Sequence, residues 1–149
     1  MAVTVRKAKL EDRIAIYEWF NDLYTQAMFE KQTKVSKEVH IKWFDTILNS
    51  DSELLLIPYS QALRLGVIRF SKKNNCWEMS LYIKITYMTQ NLCSEVIKSA
   101  INFLKNETDI KNILISIDQG NEIITQVLNK ADFKLIENND LLIFKRDIE

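Results

Sequence analysis

The hydrophobic period of this chain changes twice, from helical to alternating and back, and that order of periods limits the available folds more than any other feature. Residues 3–9 (VTVRKAK) alternate apolar and basic side chains, as a strand wet on one face does. Helical spacing follows: Asp12 can cap a helix that buries Ile14, Ile16, Trp19, Phe20 and Leu23. Ser36 caps the next, whose expected buried stripe is Val39, Trp43 and Ile47 with Phe44 and Leu48 beside it. The middle then alternates. Residues 54–58 (LLLIP), 63–70 (LRLGVIRF) and 77–85 (WEMSLYIKI) read as three strands joined by tight turns at 59–61 and 72–75, an antiparallel meander. Helicity resumes over residues 91–105 through Leu92, Val96, Ile97, Ala100, Ile101 and Leu104, and residues 112–117 (NILISI) form a buried-looking strand. Asn121 opens a last helix with Ile123, Ile124, Val127 and Leu128 inside, and residues 133–136 and 141–144 close the chain as two strands around a turn at 137–140. The expected order is β-α-α-β-β-β-α-β-α-β-β.

Composition excludes several classes. At 149 residues the chain is expected to form one domain over 1–149, with no repeat or linker and 47% hydrophobic residues to fill a core. Its 20 basic and 20 acidic residues cancel, which argues against a nucleic-acid partner. No apolar run approaches the roughly 20 residues of a membrane span, and the N-terminal MAVTVRKAKLEDR lacks the apolar core of a secretory signal. Cys76 and Cys93, with His40 as the single histidine, offer neither a metal site nor a disulfide framework, so a reducing cytoplasm is the expected compartment. The chain has two glycines and one proline, where an average chain of this length carries roughly ten and seven.

The element order resembles the GCN5-related N-acetyltransferase (GNAT) fold over nearly the whole chain. That resemblance implies an α/β (α+β) domain with a mixed central sheet of about seven strands and helices on both faces. Gly66 in LGVIRF stands where the third strand of that family commonly has glycine. Residues 121–133 (NEIITQVLNKADF) resemble its Asn-x-x-Ala-x-x-x-Tyr-x-Lys-x-Gly-Phe segment at Asn121, Lys130 and Phe133. Within the family, three marks resemble the branch that acetylates amino groups of nucleotide-linked sugars, as in pseudaminic acid biosynthesis. They are Trp19-Phe20-Asn21, Glu38-Val39-His40 followed by Trp43-Phe44, and Glu78-Met79-Ser80-Leu81-Tyr82. Branches that acetylate protein N-termini share some of these.

The implied chemistry is transfer of an acetyl group from acetyl-CoA to a small primary amine, an amino sugar on a nucleotide being the acceptor class indicated. An amine attacks only when unprotonated, so a base must reach it, often through water. Glu78 is the first candidate, on one strand face with Ser80 and Tyr82 while Trp77, Met79, Leu81 and Ile83 take the other. His40 is the second, since an imidazole titrates near neutrality. Each also has a plainer reading, as a solvent-facing strand carboxylate and a helix-surface residue. Asn21, His40 and Trp77 are the acceptor-side candidates, Trp77 being equally suited to the core. The resemblance places an oxyanion-binding backbone N–H and the pantetheine arm near Leu81, Tyr82 and Ile83, where the fourth strand splays from the fifth. It places the pyrophosphate on the helix start formed by Thr89, Gln90, Asn91, Leu92, Cys93 and Ser94, and the cofactor arm near Asn121.

Two departures stand out. The family's Arg/Gln-x-x-Gly-x-Gly/Ala loop aligns with residues 89–94, which contain no glycine; Asn91 is the best substitute there for a left-handed residue. The tyrosine that protonates the departing thiolate aligns with Leu128, leaving solvent, Tyr82 or Tyr87 for that task, and Asp132 replaces the glycine before Phe133. These departures motivate a second reading, a GNAT-fold binding or regulatory module, and a third is acetylation of a protein or peptide amine. Met28-Phe29 stands as either an acceptor-side lid or a homodimer contact.

Overall fold

The computed structural model describes residues 2–20, 36–73 and 76–148. Its strands are β1 (Thr4–Lys7), β2 (Glu53–Ser60), β3 (Leu63–Arg64), β4 (Gly66–Lys73), β5 (Cys76–Ile83), β6 (Asn112–Asp118), β7 (Lys134–Asn138) and β8 (Leu141–Asp147). Among the described residues the α-helices are α1 (Arg13–Phe20), α2 (Lys37–Leu48), α3 (Gln90–Glu107) and α4 (Glu122–Lys130). The strands form one sheet in the order β1-β2-β4-β5-β6-β8-β7, with β3 paired to β2. Every pairing is antiparallel except β5 with β6. A parallel neighbour requires a crossover, and α3 supplies it. Among the described residues no helix is long and apolar enough to cross a membrane.

Alternation along β5 divides the molecule into two cores. Met79, Leu81 and Ile83 pack with Val96, Ile97 and Leu104 of α3 and with Ile124 and Leu128 of α4. Tyr82 points the other way and packs with Leu55, Ile57 and Val67 against Ile16 of α1 and Phe44 of α2. Helices therefore cover both faces.

The strand expected over 63–70 breaks at Leu65. Tyr59 pairs with Arg64 and Leu56 with Ile68, so two residues of β2 face three on the other side, which is a β-bulge. Leu65 N–H donates to the carbonyl of Pro58 at 2.9 Å. The bend presses Gly66 onto β5: a Cβ there would lie 1.9 Å from the Tyr82 carbonyl oxygen, so only glycine fits.

Two helix expectations shift. On α2 the buried residues are His40, Phe44 and Ile47, while Val39 is 58% exposed and Leu48 also lies outside. The stripe is rotated by one residue, which is tolerated because the imidazole Nε2 reaches the Arg13 carbonyl at 3.1 Å. Ile14 is likewise exposed whereas Ile16 is fully buried. Asp12 caps the helical start as the third residue of a capping box that begins at Lys9, rather than as the N-cap residue itself. Its fully buried carboxylate accepts from Arg6 twice at 2.8 Å, from Arg64 Nε at 2.8 Å and from the Lys9 N–H at 2.7 Å, tying β1 to β3.

Candidate active site

The ladder between β5 and β6 is short. Its pairs are Trp77↔Ile113, Glu78↔Leu114 and Met79↔Ile115, yet β5 runs on to Ile83 and β6 to Asp118. Each strand stays paired on its outer side, to β4 and to β8, so the two diverge from Ser80 and Ser116 onward. Successive backbone groups of a strand point to opposite edges. Since Lys84 N–H donates toward β4, to the Leu65 carbonyl at 2.9 Å, the N–H groups of Leu81 and Ile83 face the opening. They are donors on one wall of a slot, which is what a developing oxyanion or an amide-bearing chain requires.

The open end of the slot leads to the start of α3. Thr89 caps this helix, its hydroxyl accepting from Leu92 N–H at 3.3 Å, and Cys93 N–H bonds the Thr89 carbonyl at 3.0 Å. The N–H groups of Gln90 and Asn91 are left without an intrahelical partner. A cavity of about 580 Å³ borders this turn, lined by Tyr87, Thr89, Asn91, Ser94, Glu95 and Lys98 among others. Among the described residues, the non-glycine positions with positive φ are Gln61, Ala62 and Asp132, so the 89–94 segment contains no left-handed residue and Asn91 is helical. The missing loop glycines therefore cost no backbone strain here. Asp132, in contrast, has φ 66°, so its alignment with a glycine coincides with a left-handed backbone.

The Cys93 side chain is buried in the core, its Sγ 3.4 Å from Met88 Sδ, and burial pushes the thiol up to about 11. It packs the helix start and is not a reactive group. Gln90 donates its side-chain amide to Gln126 Oε1, joining α3 to α4. Asn121 caps α4, its Oδ1 accepting from Ile124 N–H at 3.3 Å.

Acceptor-side candidates separate. Glu78 lies on the α1–α2 face of β5, two residues before the ladder opens, and its half-exposed carboxylate is 2.9 Å from Lys73 Nζ. An exposed pair of this kind contributes under about 1 kcal/mol, so the Glu78 carboxylate is readily released from Lys73. Tyr82 carries that face into the slot, with the Trp19 ring 5.5 Å from its own. Beside them Arg69 pairs with Glu53 at 2.9 Å, Ser71 donates to Glu53 at 2.6 Å, and the Arg69 guanidinium lies 5.6 Å from the Trp43 ring centre. His40 packs among Tyr17, Trp43 and Phe44 against the first turn of α1, whereas Trp19 reaches Tyr82 from the last turn of that helix, roughly 9 Å along the axis. Trp77 packs on the other face with the α3–α4 core, at the closed end of the ladder. Asn21 and Met28-Phe29 lie outside the described residues. Ser80 and Ser116, which flank the opening, were not singled out by sequence; only the register identifies them.

Comparison with known proteins agrees with this fold. The family model described as "Acetyltransferase (GNAT) domain" matches residues 2–134. No curated protein matches the sequence significantly. Among solved structures, spermidine N-acetyltransferase from Vibrio cholerae in complex with CoA and spermine superposes with a TM-score of 0.88 at 12% identity, over 98% of this chain and 95% of that one. An N-acetyltransferase from Staphylococcus aureus Mu50 gives 0.81 at 21% identity over the whole of both chains. Aminoglycoside acetyltransferase AAC(6')-Ib in complex with coenzyme A gives 0.79 at 13% identity, over 98% and 95%. Likeness at these identities shows the shared fold.

Proposed function

Since the chain belongs to the GNAT acetyltransferase family, whose co-substrate is acetyl-CoA, we propose that it acetylates a small primary amine by direct transfer in the slot between β5 and β6. The observation that carries this reading is the ladder that stops at Met79↔Ile115 while both strands continue. In the proposed arrangement the N–H groups of Leu81 and Ile83 receive the thioester oxygen and the pantetheine arm, and those of Gln90 and Asn91, with the adjoining cavity, receive the pyrophosphate. Asn121 and Tyr82 border the arm. The amine arrives on the α1–α2 face, and Glu78 takes its proton, directly or through water. No covalent enzyme intermediate is needed, since the amine and the thioester meet in one site.

The proposed acceptor class is an amino sugar on a nucleotide, supported by the sequence marks around Trp19, Trp43 and residues 78–82. Polycationic amines are the competing class, favoured by the spermidine and aminoglycoside acetyltransferases among the structural neighbours. The experiment is CoA release from acetyl-CoA with an amino-sugar nucleotide, spermidine, an aminoglycoside and a peptide amine. The proposal expects the amino-sugar nucleotide to give the highest kcat/KM, and a Glu78→Gln variant to lose about 10²-fold or more. Full activity of that variant at neutral pH would remove Glu78 from the base role. Binding of acetyl-CoA without turnover of any amine would favour a regulatory module.

A further inference from the structure

The register of the slot places two serines at its mouth. Continuing the pairing one step beyond Met79↔Ile115 sets Ser80 directly opposite Ser116, and by alternation both side chains lie on the α1–α2 face with Glu78. Neither hydroxyl has a hydrogen-bond partner among the described residues, and Ser116 is solvent-exposed. The other hydroxyls considered for the leaving group are less well placed. Tyr82 is buried against Trp19, and Tyr87 lines the cavity at the start of α3, past the end of β5. Leu128 is fully buried in the α3–α4 core.

We propose that Ser116 is a catalytic residue that supplies the proton to the departing thiolate. The inference rests on the direct-transfer reading above. With the carbonyl oxygen held by N–H groups of β5, the other substituents of the carbonyl carbon, sulfur among them, point toward β6, and Ser116 is the first β6 side chain past the closed ladder. As the amine nitrogen bonds to the carbonyl carbon, the carbon–sulfur bond breaks and its electron pair leaves on sulfur. The Ser116 O–H proton passes to that sulfur, giving CoA thiol. In the same concerted relay water at the exposed lip gives its proton to the serine oxygen, so no free alkoxide forms, and the proton lost by the amine balances the exchange through Glu78 and solvent.

The test compares Ser116→Thr with Ser116→Val, side chains of nearly equal shape that differ by the hydroxyl. Thermal midpoints and the acetyl-CoA dissociation constant should match across wild type and both variants. The Thr variant is expected to retain kcat within about threefold, and the Val variant to lose about 10²-fold in kcat with the amine KM unchanged. Equal activity of the two variants would overturn the proposal. A raised amine KM with kcat intact in the Val variant would also overturn it, by assigning the hydroxyl to acceptor binding. The base is tested separately by Glu78→Gln, so an active Glu78 variant leaves the Ser116 result to be read by itself. Absence of acetyl transfer by the unmodified protein would overturn both.

Discussion

Gly66 shows how much one position can require. Its backbone presses on the Tyr82 carbonyl so closely that a methyl group would sit 1.9 Å from the oxygen. Relief would have to displace β5, the strand that forms one wall of the slot. Gly66→Ala should therefore destabilise the protein by about 3 kcal/mol in urea unfolding and weaken acetyl-CoA binding as well. Normal stability in that variant would show that β5 yields freely. Asp12 makes a second strong demand at this scale. Burial pushes its carboxyl up, but the Arg6 side chain, the Lys9 amide and Arg64 together pull it down further, to about 2 from an ordinary 3.8. A carboxyl depressed on folding stabilises the native state fully above the unfolded value and ceases to do so as pH falls through the folded one. Wild-type stability should thus drop by about 2 kcal/mol between pH 4 and pH 2 on account of Asp12. Asp12→Asn should flatten that limb and lose about 3 kcal/mol at pH 7, because two arginines remain around a neutral amide. The sequence offered Asp12 only as a helix cap; the arginines it binds come from β1 and β3, which local spacing cannot bring together.

The elements were largely legible, and the places where they were not have physical causes. Period-2 alternation located the meander, and the i, i+3, i+4 spacing located α3 and α4. On α2, stripes beginning at Val39 or at His40 satisfy the same spacing. What chose the second was the Arg13 carbonyl on α1, which gives the buried imidazole a partner. The bulge at Leu65 was invisible because alternation continues through it in the string LRLGVIRF. The β2–β3 hairpin shows what glycine scarcity does to an element. Ser60 pairs with Leu63 across a two-residue loop in which Gln61 and Ala62 have φ of 50° and 70°. Hairpin turns with positive φ at both central residues favour Asn-Gly, and alanine has no side-chain compensation there. Replacing Gln61→Asn and Ala62→Gly together should raise the unfolding free energy by about 1 to 2 kcal/mol, read from the denaturant midpoint. An unchanged or lower midpoint would mean the hairpin is not strained.

Across the whole molecule, the pairing pattern carries the proposed site further than any motif does. The sequence placed the slot near residues 81–83 by resemblance, but the divergence of β5 from β6 depends on each strand's bonds to its other neighbour, β4 and β8. Those partners lie far apart in the chain. For the same reason local patterns could not show that Trp77 lies on the sheet face opposite Glu78, or that His40 packs against the first turn of α1. The absence of glycine in residues 89–94 loses most of its weight as an objection, since α3 begins without a left-handed residue and its first-turn N–H groups border a cavity of about 580 Å³. In the proposed arrangement this cavity and the slot together hold acetyl-CoA. Thermal unfolding with and without acetyl-CoA tests it most directly. A ligand bound to the native state at one hundred times its dissociation constant adds about 2.7 kcal/mol. A dose-dependent rise in midpoint with acetyl-CoA is expected. An unmoved midpoint at millimolar acetyl-CoA would contradict it.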